Sequence, residues 1–221
     1  MLTNIKGAIF DMDGTLIDSL MLWDILWKEF GSRFLNGGKF IPTDEEEKAV
    51  RTKTLKDAMK YLYDIYNISG SAEELLDTAN EIMRNFYANE VKLKDGIAEF
   101  LEYCHQKGIK MCVASATDIT LIKIAMKHCD IEKYFVNIFS CADIGKGKDK
   151  PDIYLQAKEF LNTGIFETCV FEDSLVAIDT AHKIGMKTVG IYDKYNFGHD
   201  EMKKIATVYV DNGETLLKLI R

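Results

Sequence analysis

The feature that most constrains the fold is a regular alternation of short apolar runs with helical patterns after Lys94. Apolar runs such as IKMCVA, TCVF and KTVGIY have the length and composition of buried strands. The segments between them carry apolar residues at three- and four-residue spacing, which is typical of helices. Strands that alternate with helices of this length pair in parallel through right-handed crossovers. The pattern predicts an α/β fold with a parallel sheet covered by helices on both faces.

A long helical stretch interrupts this alternation near the N-terminus. The run IKGAIF predicts a first buried strand, and helical spacing of apolar residues then continues to Glu90. Ser71, followed by Ala-Glu-Glu, is a typical N-cap for one of these helices. We expect an α/β core domain of residues 1–18 and 93–221, with an all-α domain of residues 19–92 inserted after the first strand. A single continuous mixed fold is the alternative.

Composition and charge argue against several classes of protein. The 221 residues have a net charge of -7 and no basic stripe, which argues against a general nucleic-acid-binding protein. No apolar run approaches the length of a membrane span, and the N-terminus lacks the features of a secretory signal. The five cysteines occur singly, which predicts buried free thiols rather than disulfides or a zinc site. We expect a cytoplasmic protein that binds neither nucleic acid nor membrane.

Two aspartates follow the first predicted strand directly. The run Asp11-Met-Asp13-Gly14-Thr places two carboxylates one residue apart, and the glycine supplies a turn that lets both serve one site. Carboxylates, a carbonyl and water are the ligands that magnesium prefers. A carboxylate can also accept a phosphoryl group as an aspartyl phosphate. The alternative is an Asp-rich turn that caps the next helix.

Polar side chains follow later strands of the predicted sheet as well. Ser115 ends the run VAS, Glu172 and Asp173 follow TCVF, and Lys148 lies in a loop ahead of a helix that starts near Pro151. Taken singly, such a serine is commonly a helix cap and such a lysine is commonly solvated. Because the carboxyl ends of parallel strands meet at one edge of a sheet, the set predicts a site for a phosphate and a metal.

With these four motifs in order, the chain resembles the haloacid dehalogenase superfamily, and specifically its phosphatase-like members with a helical cap after the first motif. The resemblance covers essentially the whole chain. The segment from Lys148 to Tyr154 resembles the family's Lys-Pro-x-Pro-Asp-x-Tyr stretch, with Asp149 in place of the first proline. The Glu-Asp-Ser form of the fourth motif resembles phosphoglucomutase-like members. The resemblance implies a Rossmann-like core and an α-helical cap domain that covers the site.

The resemblance also implies a role for each motif residue. Asp11 would attack phosphorus and become aspartyl phosphate. Asp13 would protonate the leaving oxygen and then deprotonate the water that hydrolyses the intermediate. Ser115 and the backbone N–H of Ala116 would bind the phosphoryl oxygens. Lys148 would offset the repulsion between the nucleophile and the phosphate.

The cofactor implied by the resemblance is Mg²⁺. Its ligands would be one oxygen of Asp11, the main-chain carbonyl of Asp13 and the carboxylate of Asp173. Glu172 would lie nearby and act through metal-bound water. An acid at the position of Asp13 favours phosphate esters over halides, because a halide leaving group needs no proton.

The expected function is therefore that of a magnesium-dependent phosphatase that hydrolyses a small phosphorylated metabolite, as a monomer or weak dimer. A sugar phosphomutase of the beta-phosphoglucomutase-like group is the runner-up, because RTKTLKDA poorly matches the Arg-Glu-Asp-Ser-like segment of those mutases. A non-catalytic protein that binds a phosphorylated metabolite is the alternative from another class. The complete set of motifs counts against it, since a pure binder has no need of Asp13.

Substrate choice is expected to depend on the helical insertion. Trp23, Trp27 and Phe30 are expected to pack in the core of the insertion itself. Arg51 and Lys53 lie in a polar stretch between helical patterns, where capped relatives carry a specificity loop. These two residues either meet a second anionic group of the substrate or form an ordinary solvated surface.

Overall fold

The structure, a computed structural model, describes nearly the whole chain, apart from the side chains of Lys48 and Arg51 and a few short segments. The described residues are 4–35, 40–51, 53–66 and 68–220. They form two compact units. One unit comprises the chain up to Ser19 and from Val91 onward, and the other is Leu20–Glu90. The assignment of these parts as a core domain and a cap domain stays a prediction.

The unit Leu20–Glu90 is helical. Its α-helices among the described residues are α1 (Leu22–Phe34), α2 (Asp44–Arg51), α3 (Leu55–Ile65) and α4 (Ala72–Asn89). Helix α4 begins as predicted: Ser71 Oγ accepts the N–H of Glu74, whose carboxylate accepts the N–H of Ser71. This capping box satisfies two backbone donors that the first turn leaves free. Trp27 and Phe30 are buried, as predicted, and Trp23 packs beside Trp27 while half-buried.

Helix α2 differs from the sequence expectation, which placed Arg51 in a stretch between helices. Its sequence DEEEKAVR contains few apolar residues, so hydrophobic spacing gives no helical signal. The four acidic residues of its first turn stabilise it instead, because they face the positive end of the helix dipole. The side chain of Arg51 lies outside the described residues. Lys53 is exposed, with its ammonium 5.7 Å from the centre of the Tyr61 ring.

The other unit is built on a six-stranded parallel sheet. The strands of this sheet are β1 (Gly7–Phe10), β4 (Lys110–Ser115), β5 (Phe135–Ser140), β6 (Thr168–Glu172), β7 (Lys187–Ile191) and β8 (Val208–Val210). Two short strands of the same unit, β2 (Ile17–Asp18) and β3 (Lys92–Leu93), lie outside it. The sheet has the order β5-β4-β1-β6-β7-β8, and every pairing in it is parallel. Strand β1 lies inside the sheet and is buried along its whole length. The predicted α/β class is confirmed.

Helices cover both faces of this sheet. They are α5 (Ile97–Gln106), α6 (Ile119–His128), α7 (Cys141–Ile144), α8 (Asp152–Leu161), α9 (Leu175–Lys183) and α10 (His199–Ile205). A short 3-10 helix follows at Leu216–Leu219. The spacing of apolar residues does not predict helix α10, because Met202 is the one residue that this helix buries. Across the described segments, no helix combines the length and hydropathy needed to cross a membrane.

The core of the sheet unit contains the predicted free thiols. None of the five cysteines forms a disulfide, four of them are buried, and Cys129 is half-buried. Tyr154 and Ile153 from α8 pack with Ile9 and Val170 on one face of the sheet. Because these side chains are fully or almost fully buried, they fix the central strands whose ends carry the site.

Strands β2 and β3 form a separate two-stranded antiparallel sheet. Ile17 lies opposite Leu93 and Asp18 lies opposite Lys92. The N–H of Lys94 then donates to the carbonyl of Leu16 at 3.0 Å. This pairing ties the chain that follows the Asp11–Asp13 motif to the chain that returns at β3.

Candidate active site

Three neighbouring strands end at predicted site residues. Asp11 follows β1, Ser115 is the last residue of β4, and Glu172 is the last residue of β6. Strand β1 lies between the other two, and the N–H of Asp11 donates to the carbonyl of Phe171 at 2.9 Å. Because all three strands are parallel, these residues share the carboxyl edge of the sheet, where ligands bind in such folds.

A tight turn follows Asp11. Gly14 has a φ of 80°, a conformation that is strained for residues with a Cβ. Its N–H donates to the carbonyl of Ile17 at 3.0 Å, and the N–H of Leu16 donates to the carbonyl of Met12 at 2.9 Å. The turn reverses the chain immediately after the first aspartate, as the motif predicts.

Lys148 lies at the centre of a charged cluster. Its ammonium donates to the carboxylates of both Asp11 and Glu172. The second oxygen of Glu172 accepts the backbone N–H groups of Asp173 and Ser174, each at 3.0 Å. Carboxylate oxygens of Asp11, Glu172 and Asp173 lie within 4.8 Å of one another. Three acids and one ammonium thus share a small buried volume.

The electrostatics of the cluster reflect burial first and the proximity of its acids second. Burial raises the pKa of Asp11 to about 8, although Lys148 acts to lower it. Burial, and then the charges of Asp11 and Glu172, raise the pKa of Asp173 well above its usual value. Burial alone would lower the pKa of Lys148, but the two carboxylates beside it raise that pKa well above its usual value. A further cation would relieve this repulsion.

The carboxylate of Asp13 has different partners from that of Asp11. One of its oxygens accepts the hydroxyl of Ser19 and the other accepts the hydroxyl of Thr117, both at 2.7 Å. Asp13 is half-buried, whereas Asp11 is buried. The two aspartates of the motif therefore occupy distinct environments: one beside an ammonium and two acids, the other between two hydroxyls.

The loop after β4 brings Ser115 and Thr117 together. The buried Ser115 hydroxyl accepts the N–H of Thr117 at 3.1 Å, so its own proton is not used in that bond. The carbonyl of Thr117 accepts the hydroxyl of Ser140 at 2.8 Å. Ala116, between the two, is exposed. This loop is thus anchored to β5 and presents a hydroxyl at the edge where Asp11 lies.

Two residues to which the sequence analysis assigned no role hold Asp173. The hydroxyl of Thr15 donates to its carboxylate at 2.9 Å. The side-chain amide of Asn196, in the loop after β7, donates to the same carboxylate and to the carbonyl of Asp173 at 3.2 Å. Thr15 is the last residue of the motif that begins at Asp11, and this position was the available signal for it. Asparagine is common in loops, so only the position of Asn196 at the sheet edge distinguishes it. Sequence analysis also did not identify Ser19 and Thr117, the two partners of Asp13, because serine and threonine are equally common in loops.

The structure thus brings Asp11, Lys148, Glu172 and Asp173 into direct or near contact. The side chain of Asp13 is not part of the three-acid group. Its predicted contribution to the metal is its main-chain carbonyl, and this contribution stays a prediction.

The family follows from a comparison of the whole chain with known protein families. The model of haloacid dehalogenase-like hydrolases matches residues 8–191, which include every motif residue discussed above. The chain belongs to the haloacid dehalogenase-like hydrolase family. The resemblance inferred from the four motifs is confirmed.

Relatives of this hydrolase include enzymes named for phosphate chemistry. It is 26% identical over 212 residues to the phosphorylated carbohydrates phosphatase of Thermotoga maritima, a match that covers 96% of each chain. A crystal structure from Thermotoga maritima, described as that of a candidate beta-phosphoglucomutase, has a TM-score of 0.80 and 25% identity, over 98% of this chain and 99% of that chain. CbbY from Rhodobacter sphaeroides in complex with phosphate shares the fold, with a TM-score of 0.79 at 22% identity over 94% of each chain.

Proposed function

We propose that this hydrolase is a magnesium-dependent phosphatase that releases inorganic phosphate from a small phosphate monoester, with Asp11 as the nucleophile. The main support is the separation of the two motif aspartates. Asp11 is buried beside Lys148 and two further acids, whereas Asp13 is half-buried between two hydroxyls. A nucleophile and a proton carrier need different surroundings, and these two carboxylates have them.

The acid cluster fits magnesium in its chemistry. Asp11, Glu172 and Asp173 offer only oxygen atoms, which hard divalent cations prefer over softer metals. Their surplus negative charge is what a divalent cation neutralises. When bound, Mg²⁺ would supply positive charge to the phosphoryl group and help to orient it.

In the first step, a carboxylate oxygen of Asp11 attacks phosphorus and the bond from phosphorus to the ester oxygen breaks. The electron pair stays with the ester oxygen, which takes a proton from Asp13 and leaves as an alcohol. The ammonium of Lys148 offsets the charge of the approaching phosphate. Ser115 donates its hydroxyl proton, and Ala116 its backbone N–H, to the phosphoryl oxygens.

In the second step, a water molecule attacks the phosphorus of the aspartyl phosphate. Asp13, now a carboxylate, takes one proton of that water, and the bond from phosphorus to the Asp11 oxygen breaks. Inorganic phosphate leaves, and both aspartates return to their starting states. The hydroxyls of Ser19 and Thr117 hold Asp13 in one orientation for both proton transfers.

We further propose that Leu20–Glu90 is the cap domain that selects the substrate. The substrate class is a small phosphorylated metabolite. Phosphorylated carbohydrates are the first compounds to test, since a relative that matches 96% of the chain is named as their phosphatase. A sugar phosphomutase is the second candidate, because a 25% identical structure is described as a candidate beta-phosphoglucomutase.

The test is a phosphate-release assay with purified protein, p-nitrophenyl phosphate and a panel of phosphorylated carbohydrates. The proposal expects turnover with Mg²⁺, none in EDTA, and loss of turnover in Asp11→Asn. Binding of a phosphorylated sugar without any release or transfer of phosphate would instead make the protein a binder. Equal rates in the wild type and Asp11→Asn would remove Asp11 from the nucleophile's role.

A further inference from the structure

Lys94 makes contacts that the proposed mechanism does not use. Its side chain is 20% exposed, and its ammonium donates to the carbonyl of Gly14 at 2.6 Å, the carboxylate of Asp193 at 2.7 Å and the carbonyl of Tyr192 at 3.3 Å. An ammonium has three N–H donors, so all three have an acceptor. A partly buried lysine whose three N–H groups all have acceptors is expected to have a specific role.

The first arm from Lys94 leads through the motif turn. Its bond to the Gly14 carbonyl fixes the Gly14–Thr15 peptide, and its backbone N–H bonds the carbonyl of Leu16. Thr15 is fully buried, and its hydroxyl donates to the carboxylate of Asp173 at 2.9 Å. Lys94 therefore acts on one oxygen of Asp173 through this turn.

The second arm leads through the loop after β7. Asp193 is 4% exposed, and its carboxylate accepts both the Lys94 ammonium and the N–H of Tyr195 at 3.0 Å. Its carbonyl accepts the N–H of Asn196 at 3.0 Å. This turn presents the Asn196 amide, which donates to the other oxygen of Asp173 and to its carbonyl. The two chains of hydrogen bonds both start at Lys94, and each ends on a different carboxylate oxygen of Asp173.

We propose that Lys94 is a positioning residue that presets the carboxylate of Asp173 for the metal, acting through Thr15 on one side and Asn196 on the other. The inference rests on the proposed metal-dependent function. Removal of a residue that orients a metal ligand commonly weakens the affinity for the metal by about 10- to 100-fold. Lys94 is placed to act in this way although it contacts none of the three clustered acids.

Charge and positioning are separated by two variants that both lose the positive charge of Lys94. This charge repels a cation at Asp173 but also lowers the pKa of Asp173, and its loss acts equally in Lys94→Met and Lys94→Gln. Loss of positioning would free the Asp173 carboxylate and weaken binding, and of the two variants only Lys94→Gln keeps N–H donors. A larger Kd in Lys94→Met than in Lys94→Gln therefore reports positioning.

The experiment is a calorimetric titration of Mg²⁺ into the metal-free full chain, for the wild type, Lys94→Met and Lys94→Gln. The inference expects Lys94→Met to raise the Kd by about tenfold or more. Lys94→Gln, which keeps two N–H donors, should raise it less and serves if the methionine variant does not fold. Lys6→Met is the matched control, since Lys6 forms an exposed pair with Glu167 at 2.6 Å, and its Kd should equal that of the wild type.

Thermal unfolding of the metal-free variants separates positioning from a general structural role. A lower Tm with an unchanged Kd would show that Lys94 only stabilises the fold and would overturn the inference. An equal or lower Kd in folded Lys94→Met, or in folded Lys94→Gln where the methionine variant does not fold, would overturn it as well, even if the wild type binds Mg²⁺ and hydrolyses phosphate esters. A wild type that binds no Mg²⁺ would instead contradict the proposed function itself, and the inference with it.

Discussion

The hydroxyl of Thr117 donates a 2.7 Å hydrogen bond to the carboxylate of Asp13, although 104 residues of sequence separate them. Thr117 also donates its N–H to the hydroxyl of Ser115. One short loop thus holds both the proposed proton carrier and the proposed phosphate-binding hydroxyl. Proton transfer depends on geometry first, so the bond from Thr117 to Asp13 should influence the rate of turnover more than the binding of substrate.

Replacing Thr117 by valine keeps the branched shape and removes the hydroxyl. We expect kcat to fall by about tenfold or more with little change in KM, because Asp13 loses one of the bonds that orient it. Steady-state kinetics on p-nitrophenyl phosphate measure both constants. Thr117→Ser keeps a hydroxyl and should recover most of the lost rate. A wild-type kcat in Thr117→Val would show that this bond has no part in catalysis.

Replacing Asp11 by asparagine should reduce turnover by at least about a thousandfold, because an amide is not a nucleophile and is a poor metal ligand. Phosphate release is the measurement, with circular dichroism and thermal unfolding to establish that the variant is folded. Asp179→Asn is a suitable control, since the Asp179 side chain is 39% exposed and pairs with Lys183 within one helix. If Asp11→Asn retains the activity of this control, the nucleophile is another residue.

Removal of divalent cations should abolish the activity of the enzyme. EDTA is expected to abolish phosphate release, Mg²⁺ to restore it, and Ca²⁺ to inhibit it in competition with Mg²⁺. Calcium accepts a larger and looser coordination shell, which disturbs an in-line geometry that the octahedral preference of magnesium supports. Initial rates across a series of Mg²⁺ and Ca²⁺ concentrations test this. Full activity in excess chelator would contradict a metal-dependent mechanism.

Product analysis separates a phosphatase from a mutase. With β-glucose 1-phosphate and a trace of the 1,6-bisphosphate, we expect inorganic phosphate to appear faster than glucose 6-phosphate. A mutase must exclude water from the aspartyl phosphate and bind a second phosphate group of its intermediate. Lys53 is one of the two residues considered for binding a second phosphate group, and it is exposed and lies near the ring of Tyr61.

The same mixture, resolved by ion chromatography or phosphorus NMR over time, gives both rates in one experiment. Asp11→Asn provides the blank, since it should yield neither product. Glucose 6-phosphate forming much faster than inorganic phosphate would reverse the order and identify a sugar phosphomutase.

The α/β class and the order of the motif residues could be predicted from the sequence alone. Strand and helix periods are local properties, and polar residues at the ends of parallel strands must meet at one sheet edge. The capping box of Ser71 was equally predictable, because both of its partners lie within one turn. Helix α2 was not, because it is held by charge in its first turn rather than by an apolar pattern.

Which ordinary polar residues support the acids depends on the three-dimensional fold. Ser19, Thr117, Asn196 and Lys94 belong to residue types that fill solvated loops everywhere, and no spacing distinguishes them. Thr117 and Asn196 acquire partners because the order β4-β1-β6-β7 brings the loops after these strands to one edge. Ser19 and Lys94 instead follow the paired strands β2 and β3. The order of the strands depends on the burial of whole strands and helices against one another, which sums many weak contacts over distant parts of the chain.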